Sequence, residues 1–130
     1  MQFQTLDQWL QWLESLNPAR IELGLERVRA VWQRLHSGAL PFTVITVAGT
    51  NGKGSCVAML DAMLQAGGYG VGAYTSPHLL RYTERIRVNG QEVGEATLCA
   101  AFERVESARG EVPLTYFEFG TLAAFIVFMD

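Results

Sequence analysis

Residues 46–55 read TVAGTNGKGS. Glycine stands at 49, 52 and 54, asparagine at 51, and a lone lysine at 53, between two apolar runs. Upstream, Phe42 to Val47 is a short β-branched run after Pro41 and reads as a buried strand. Downstream, from Gly54 or Ser55 to Ala66, the residues Val57, Met59, Leu60, Met63 and Leu64 recur at helical spacing. Gly67-Gly68 stops that helix, and Val71 to Tyr74 is a second short strand. Strand, loop, helix, strand is a βαβ unit, with an expected right-handed crossover and parallel strands. The expected fold class is α/β: a P-loop-type parallel sheet with flanking helices.

A glycine-rich turn between a parallel strand and a helix is where phosphates bind. Glycines let backbone N–H groups point at one spot without Cβ clashes. The helix N-terminus adds partial positive charge. Lys53 would reach the β/γ-phosphates as a point charge, and the Ser55 hydroxyl could face Mg²⁺. The match to G-x-x-x-x-G-K-[ST] departs in two places. Val47 stands where the first Gly belongs, and Gly54 separates Lys53 from Ser55. The plain alternative is a βα turn with an exposed lysine, for which so many flexible residues are costly.

Around this unit the chain reads as further helices and one hairpin. Thr5 can cap a helix bearing Leu6, Trp9, Leu10, Leu13 and Leu16, which Asn17-Pro18 ends. Leu25, Val28, Val31, Trp32 and Leu35 make a second helical pattern that closes near Gly38. Asn89-Gly90 follows alternating Arg85, Ile86, Arg87 and Val88, a hairpin signal. Glu95 to Ala108 is amphipathic through Leu98, Cys99, Phe102 and Val105, and TYFEFGTLAAFIVFM reads as a buried helix.

The 130 residues suggest one domain, 49% apolar and 18% charged, which is globular rather than disordered. A net charge of −3 argues against broad binding to nucleic acid or anionic membrane. Cys56 and Cys99 stand far apart without metal-ligand spacing and are expected to be buried thiols in a reducing compartment. MQFQTLDQWLQWLESL has no basic region before an apolar one, so no signal peptide is expected. No apolar run reaches the roughly 20 residues of a membrane helix. A soluble cytoplasmic protein is the expectation. The last residues, LAAFIVFMD, end inside an apolar run without a stop signal, which reads as a cut chain.

AGTNGKGS, Ala48 to Ser55, resembles the nucleotide loop of the Mur-ligase superfamily, the ATP-dependent amide-forming ligases. YTSPHLLRYTERIRVNGQ, Tyr74 to Gln91, is similar to the corresponding stretch of dihydrofolate synthase/folylpolyglutamate synthase. LGLERV, Leu23 to Val28, and LTYFEFGT, Leu114 to Thr121, are similar to two further segments of its bifunctional bacterial form. The resemblance runs in order over nearly the whole chain.

The resemblance implies a ligase that joins L-glutamate to dihydropteroate and adds glutamates to folates. ATP phosphorylates a carboxylate to an acyl phosphate, and the amine of glutamate displaces phosphate. It implies ATP held by Gly49, Thr50, Asn51, Gly52, Lys53, Gly54 and Ser55, with Lys53 catalytic. Mg²⁺ would be ligated by Ser76, although Ser76-Pro77 also reads as the N-cap and N1 of a short helix. His78, in the same motif, would position the loop or touch phosphate or substrate. Dihydropteroate or folate would be contacted by Arg20, Ile21, Glu22 and Leu23 and by Thr115, Tyr116, Phe117 and Glu118. Aromatic rings there can stack on a flat heterocycle, and a carboxylate can accept from its ring N–H groups. The competing expectation makes Tyr116, Phe117 and Phe119 core residues at a helix start. Arg81, Arg85 and Arg87 decorate a solvated hairpin edge, or Arg81 steers an anionic substrate.

The family enzymes are longer. On that comparison residues 1–130 are the N-terminal part of the ATP-binding domain, without its remainder, its metal-binding glutamate and histidine, its carbamylated lysine or the second domain. The parent would be monomeric, with no nucleic-acid or membrane partner. The chain by itself is expected to be inactive, with the apolar face of its last helix left uncovered. Two other classes compete: a non-catalytic nucleotide- or pterin-binding module, and a P-loop kinase or GTPase. The latter calls for standard loop spacing and a metal-binding Asp ending a later strand.

Overall fold

Thr5 starts the first helix as the sequence demands. Its hydroxyl accepts from the Gln8 N–H at 3.2 Å, and the Gln8 side chain accepts from the Thr5 N–H at 3.3 Å. This reciprocal cap begins α1, Leu6–Glu14, in a computed structural model that describes residues 3–16, 25–36 and 38–130. The chain then forms α2 (Glu26–Leu35), α3 (Lys53–Ala66), β1 (Gly72–Tyr74), a 3-10 turn (Tyr82–Arg85), β2 (Ile86–Val88), β3 (Gln91–Glu92), α4 (Glu95–Arg109) and α5 (Tyr116–Met129). These fall into two compact units, residues 1–40 with 95–130, and residues 41–94. Among the described residues no helix is long and apolar enough to cross a membrane.

The first unit is helical. Its core comes from the apolar stripes of α1, α2, α4 and α5, with Trp9, Leu13, Val31, Leu98, Phe102, Val105, Phe119, Leu122 and Ile126 almost wholly buried. Trp9 sits 5.7 Å from the Phe102 ring and 6.3 Å from the Phe119 ring, within the range of favourable aromatic pairs. Arg34 of α2 donates to the carbonyls of Ala108 and Arg109 at 3.0 Å, closing the C-terminal end of α4. The apolar face of α5 is covered by α1, α2 and α4, contrary to the expectation that it lacks partners.

The second unit holds α3 and a three-stranded antiparallel sheet of order β1-β2-β3. Asn89 at φ +50° and Gly90 at φ +83° make the primed turn that suits a two-residue hairpin. Ala73 pairs with Arg87 and Arg87 with Glu92. Among the described residues the parallel sheet of the sequence reading is not formed. Residues 42–47 are assigned to no strand, and β1 pairs with β2 instead. Strand formation requires a laddered neighbour. Val44 and Ile45, at 48% and 59% exposure, lie against none. α3 likewise buries no residue, and Met59 and Met63 are each 64% exposed. Cys56 is exposed and Cys99 half-buried, so the expectation of two buried thiols fails; both remain free. Burial pushes the Cys99 thiol up, with Glu95 and Glu103 adding to the effect.

The hairpin edge is braced by charge. Arg81 donates Nε and Nη2 to the two oxygens of Glu92 at 3.2 and 2.7 Å, and the Thr83 hydroxyl donates at 2.7 Å. The Arg81 hydrogen bond first, and Thr83 next, hold the Glu92 carboxyl at about 2. A depressed carboxyl stabilises the fold above its unfolded value, near 4.5, and loses that contribution as pH falls toward 2. Amide-exchange protection in 86–92 is therefore expected to fall across that window in the wild type. In Glu92→Gln it stays flat there.

Candidate functional site

The glycine loop ends where its residue types dictate. Gly52 adopts φ +76°, a left-handed conformation that favours glycine, and serves as the N-cap of α3. A glycine cap brings no side-chain acceptor, and none caps this helix. The first ladder bond of α3 runs from the Cys56 N–H to the Gly52 carbonyl at 3.0 Å. The N–H groups of Lys53, Gly54 and Ser55 precede it and have no acceptor within the helix. Gly49, Thr50, Asn51, Gly52, Lys53, Gly54 and Ser55 are all exposed. A Cβ added at Gly49, Gly52 or Gly54 meets nothing within 4 Å. The result is a fourteen-residue helix whose positive end opens on free space, with Lys53 as its first residue.

Ser76 lies in the same unit, exposed, in the loop between β1 and the 3-10 turn. The helix-cap reading of Ser76-Pro77 fails. No helix begins there, and the chain reaches a helical turn only at Tyr82. The N–H groups downstream are taken by another group. Glu84 accepts from Leu79 at 2.9 Å, Leu80 at 3.0 Å and Arg81 at 2.9 Å. These three bonds draw its carboxyl below the usual range, Leu79 first and then Arg81. His78 does hold the loop. Its Nδ1 accepts from Arg85 Nε at 2.8 Å, and its ring meets Tyr82 edge-on at 5.6 Å. The Arg85 guanidinium lies over the same Tyr82 ring at 4.9 Å. Arg81 is engaged by Glu92, as a braced hairpin edge predicts.

Glu118 anchors the second cluster. Thr115 is the N-cap of α5; its hydroxyl accepts from the Glu118 N–H at 3.2 Å, and Glu118 Oε1 accepts from the Thr115 N–H at 3.0 Å. Arg27 of α2 donates Nε to Oε1 at 3.2 Å and Nη2 to Oε2 at 2.6 Å. The side chains of this ion pair are 15% and 11% exposed. The core expectation for the aromatic trio divides. Phe119 is buried, Tyr116 is half-buried and Phe117 is 52% exposed. Arg20, Ile21, Glu22 and Leu23 lie outside the described residues. The loop and Ser76 thus belong to one unit and Thr115–Glu118 to the other.

Sequence reasoning missed Arg27. One signal was available: a cation in the first turn of α2 opposes the helix dipole and calls for a partner elsewhere.

An open helix N-terminus with glycines and one lysine fits a nucleotide polyphosphate. The exposed hydroxyl of Ser76 fits one hard oxygen ligand of a divalent cation. Among the described residues no three His, Cys, Asp or Glu side chains gather to hold a metal.

No protein-family profile matches the chain. Known proteins do. The dihydrofolate synthase/folylpolyglutamate synthase of Escherichia coli strain K12 is 56% identical over 126 residues, 95% of this chain and 29% of that protein. A structure of Escherichia coli FolC in complex with DHPP and ADP matches with a TM-score of 0.89 at 55% identity, over 96% of this chain and 30% of that one. A bifunctional folylpolyglutamate synthase/dihydrofolate synthase with Mn, AMPPNP and L-glutamate bound matches with a TM-score of 0.90 at 50% identity, over 98% and 30%. The resemblance read from the motifs therefore holds along nearly the entire chain. The chain spans about three tenths of the length of these relatives.

Proposed function

We propose that this chain, a relative of the dihydrofolate synthase/folylpolyglutamate synthases, is part of a cytoplasmic ATP-dependent ligase. That enzyme joins L-glutamate to dihydropteroate and lengthens folates by further glutamates. The observation that carries the reading is the side-chain-free start of α3 at Gly52, led by Lys53, in a chain 56% identical to such an enzyme.

In this reading the N–H groups of Lys53, Gly54 and Ser55 receive phosphate oxygens, and the Lys53 ammonium neutralises charge as the terminal phosphoryl group leaves. The glycines at 49, 52 and 54 keep the approach clear. Ser76 offers its hydroxyl to the divalent cation, held in place by a loop that Glu84 ties and Arg85 and His78 brace. A bound cation offsets negative charge on the phosphates. Tyr116 and Phe117 stack on the heterocycle of the acid substrate, and Glu118 accepts from it. The ADP, AMPPNP, Mn, DHPP and L-glutamate of the solved relatives support these classes of ligand.

The test is ligation in the full-length enzyme that carries this sequence, with product measured against dihydropteroate and glutamate. In Phe117→Ala the KM for dihydropteroate is expected to rise by an amount worth about 1–3 kcal/mol, the size of a lost stacking contact, with the KM for ATP unchanged. Phe117 is half exposed, so melting temperature is expected to hold. Tyr116→Ala follows the same pattern with some loss of stability. A lowered melting temperature with an unchanged KM in both variants assigns these rings to the core.

A further inference from the structure

The Arg27–Glu118 pair asks why a carboxylate offered to a ligand is already spoken for. Oε1 receives the Thr115 N–H and Arg27 Nε, and Oε2 receives Arg27 Nη2. A carboxylate has about four acceptor sites. Donors among the described residues fill three, which leaves one on Oε2. The group therefore takes one donor from a ligand, not two side by side.

The same bonds fix the backbone. Thr115 and Glu118 cap α5 reciprocally, so the position of the Glu118 side chain sets the turn that displays Tyr116 and Phe117. Among the described residues, Arg27 holds that side chain from outside α5, with a two-pronged guanidinium reaching from the first turn of α2. A cation in a first turn works against its own helix. Its use lies across the gap, where it neutralises a carboxylate with little exposure to water.

We infer that Arg27 is a positioning residue for recognition of the flat heterocyclic acid. Acting through Glu118, it fixes the 115–118 turn, holds Phe117 outward and leaves Glu118 a single acceptor for one ring N–H of the substrate. This rests on the function proposed above.

The experiment is a double-mutant cycle in the full-length enzyme: Arg27→Gln, Glu118→Gln and both together, with separate KM values for dihydropteroate and ATP. Arg27→Gln is expected to raise the dihydropteroate KM about tenfold, the scale of a lost charged hydrogen bond, with the ATP KM within about twofold. Added to Glu118→Gln, it is expected to raise the dihydropteroate KM by less than about twofold, because its route is already cut. Arg27→Lys keeps the charge and loses the fork, and is expected to give an intermediate rise. It also decides the matter if Arg27→Gln does not fold. An unchanged dihydropteroate KM in the folded Arg27 variants overturns the proposal, as does an equal rise in both KM values or full additivity with Glu118→Gln. A wild-type enzyme that makes no dihydropteroate-dependent product refutes the function instead, so the two failures are distinct.

Discussion

Lys53→Ala in the full-length enzyme is expected to lower ligation at least a hundredfold while the protein folds as before. Lys53 is the first residue of α3 and is exposed, so truncating it removes no core contact. Alanine is also the best helix former, and α3 loses nothing at that position. What vanishes is the ammonium group beside a cradle of N–H groups that carries no other charged side chain from residues 49–55. Removing a single preorganised donor from a charge-stabilising site costs about 10²–10³ in rate. Steady-state product formation, with circular dichroism and a melting curve alongside, checks the prediction. A folded Lys53→Ala enzyme that turns over like wild type removes the loop from the chemistry.

The 130 residues purified alone are expected to release no ADP and to make no ligated product, with ATP, Mg²⁺, dihydropteroate and glutamate all supplied. Two observations lead there. Among the described residues no trio of carboxylate, imidazole or thiol groups gathers around a cation, which leaves Ser76 as a lone hydroxyl donor. The run 42–47 that enters the loop is assigned to no strand, with Val44 and Ile45 in solvent, so no sheet fixes the entry to the cradle. The solved relatives that carry ADP or AMPPNP are about three times as long. Phosphoryl transfer depends on positioning and charge neutralisation, and this chain by itself supplies a fraction of each. A coupled ADP assay with mass detection of product suffices, and ligated product from the purified chain would overturn the expectation.

The elements whose causes are local were legible in the sequence. Thr5 with Gln8, the 3.6-residue apolar stripes of α1, α2, α4 and α5, and Asn89-Gly90 each carry their instructions within a few residues. The run 42–47 is different. Its β-branched residues favour extension, but strand identity is conferred by a neighbour, and here β1 took β2 as its antiparallel partner instead. Ser76-Pro77 misled for a related reason: a cap is defined by the N–H groups after it, and Glu84 claims those from eight residues downstream of Ser76. At the second cluster the pattern Thr115-x-x-Glu118 was a readable capping box. Composition offered Glu118 as a free acceptor, whereas the box already engaged it. The exposure of Phe117 beside buried Phe119 is set by how α5 packs, which periodicity at a helix start does not reveal.

All three tryptophans, Trp9, Trp12 and Trp32, lie in the helical unit; residues 41–94 contain none and carry only Tyr69, Tyr74 and Tyr82 as phenolic reporters. Indole emission is consequently a gauge of one unit alone. A single smooth fluorescence transition in denaturant describes the melting of the helices around Trp9 and is blind to the hairpin and the glycine loop. Coincidence of probes is the criterion for all-or-none unfolding, so for this chain it must be met with a signal that originates between 41 and 94. Tyrosine absorbance or amide exchange provides one. The same division matters in titrations: a nucleotide seated at Lys53 finds no indole in its own unit to report it, so its binding there must be read with another signal.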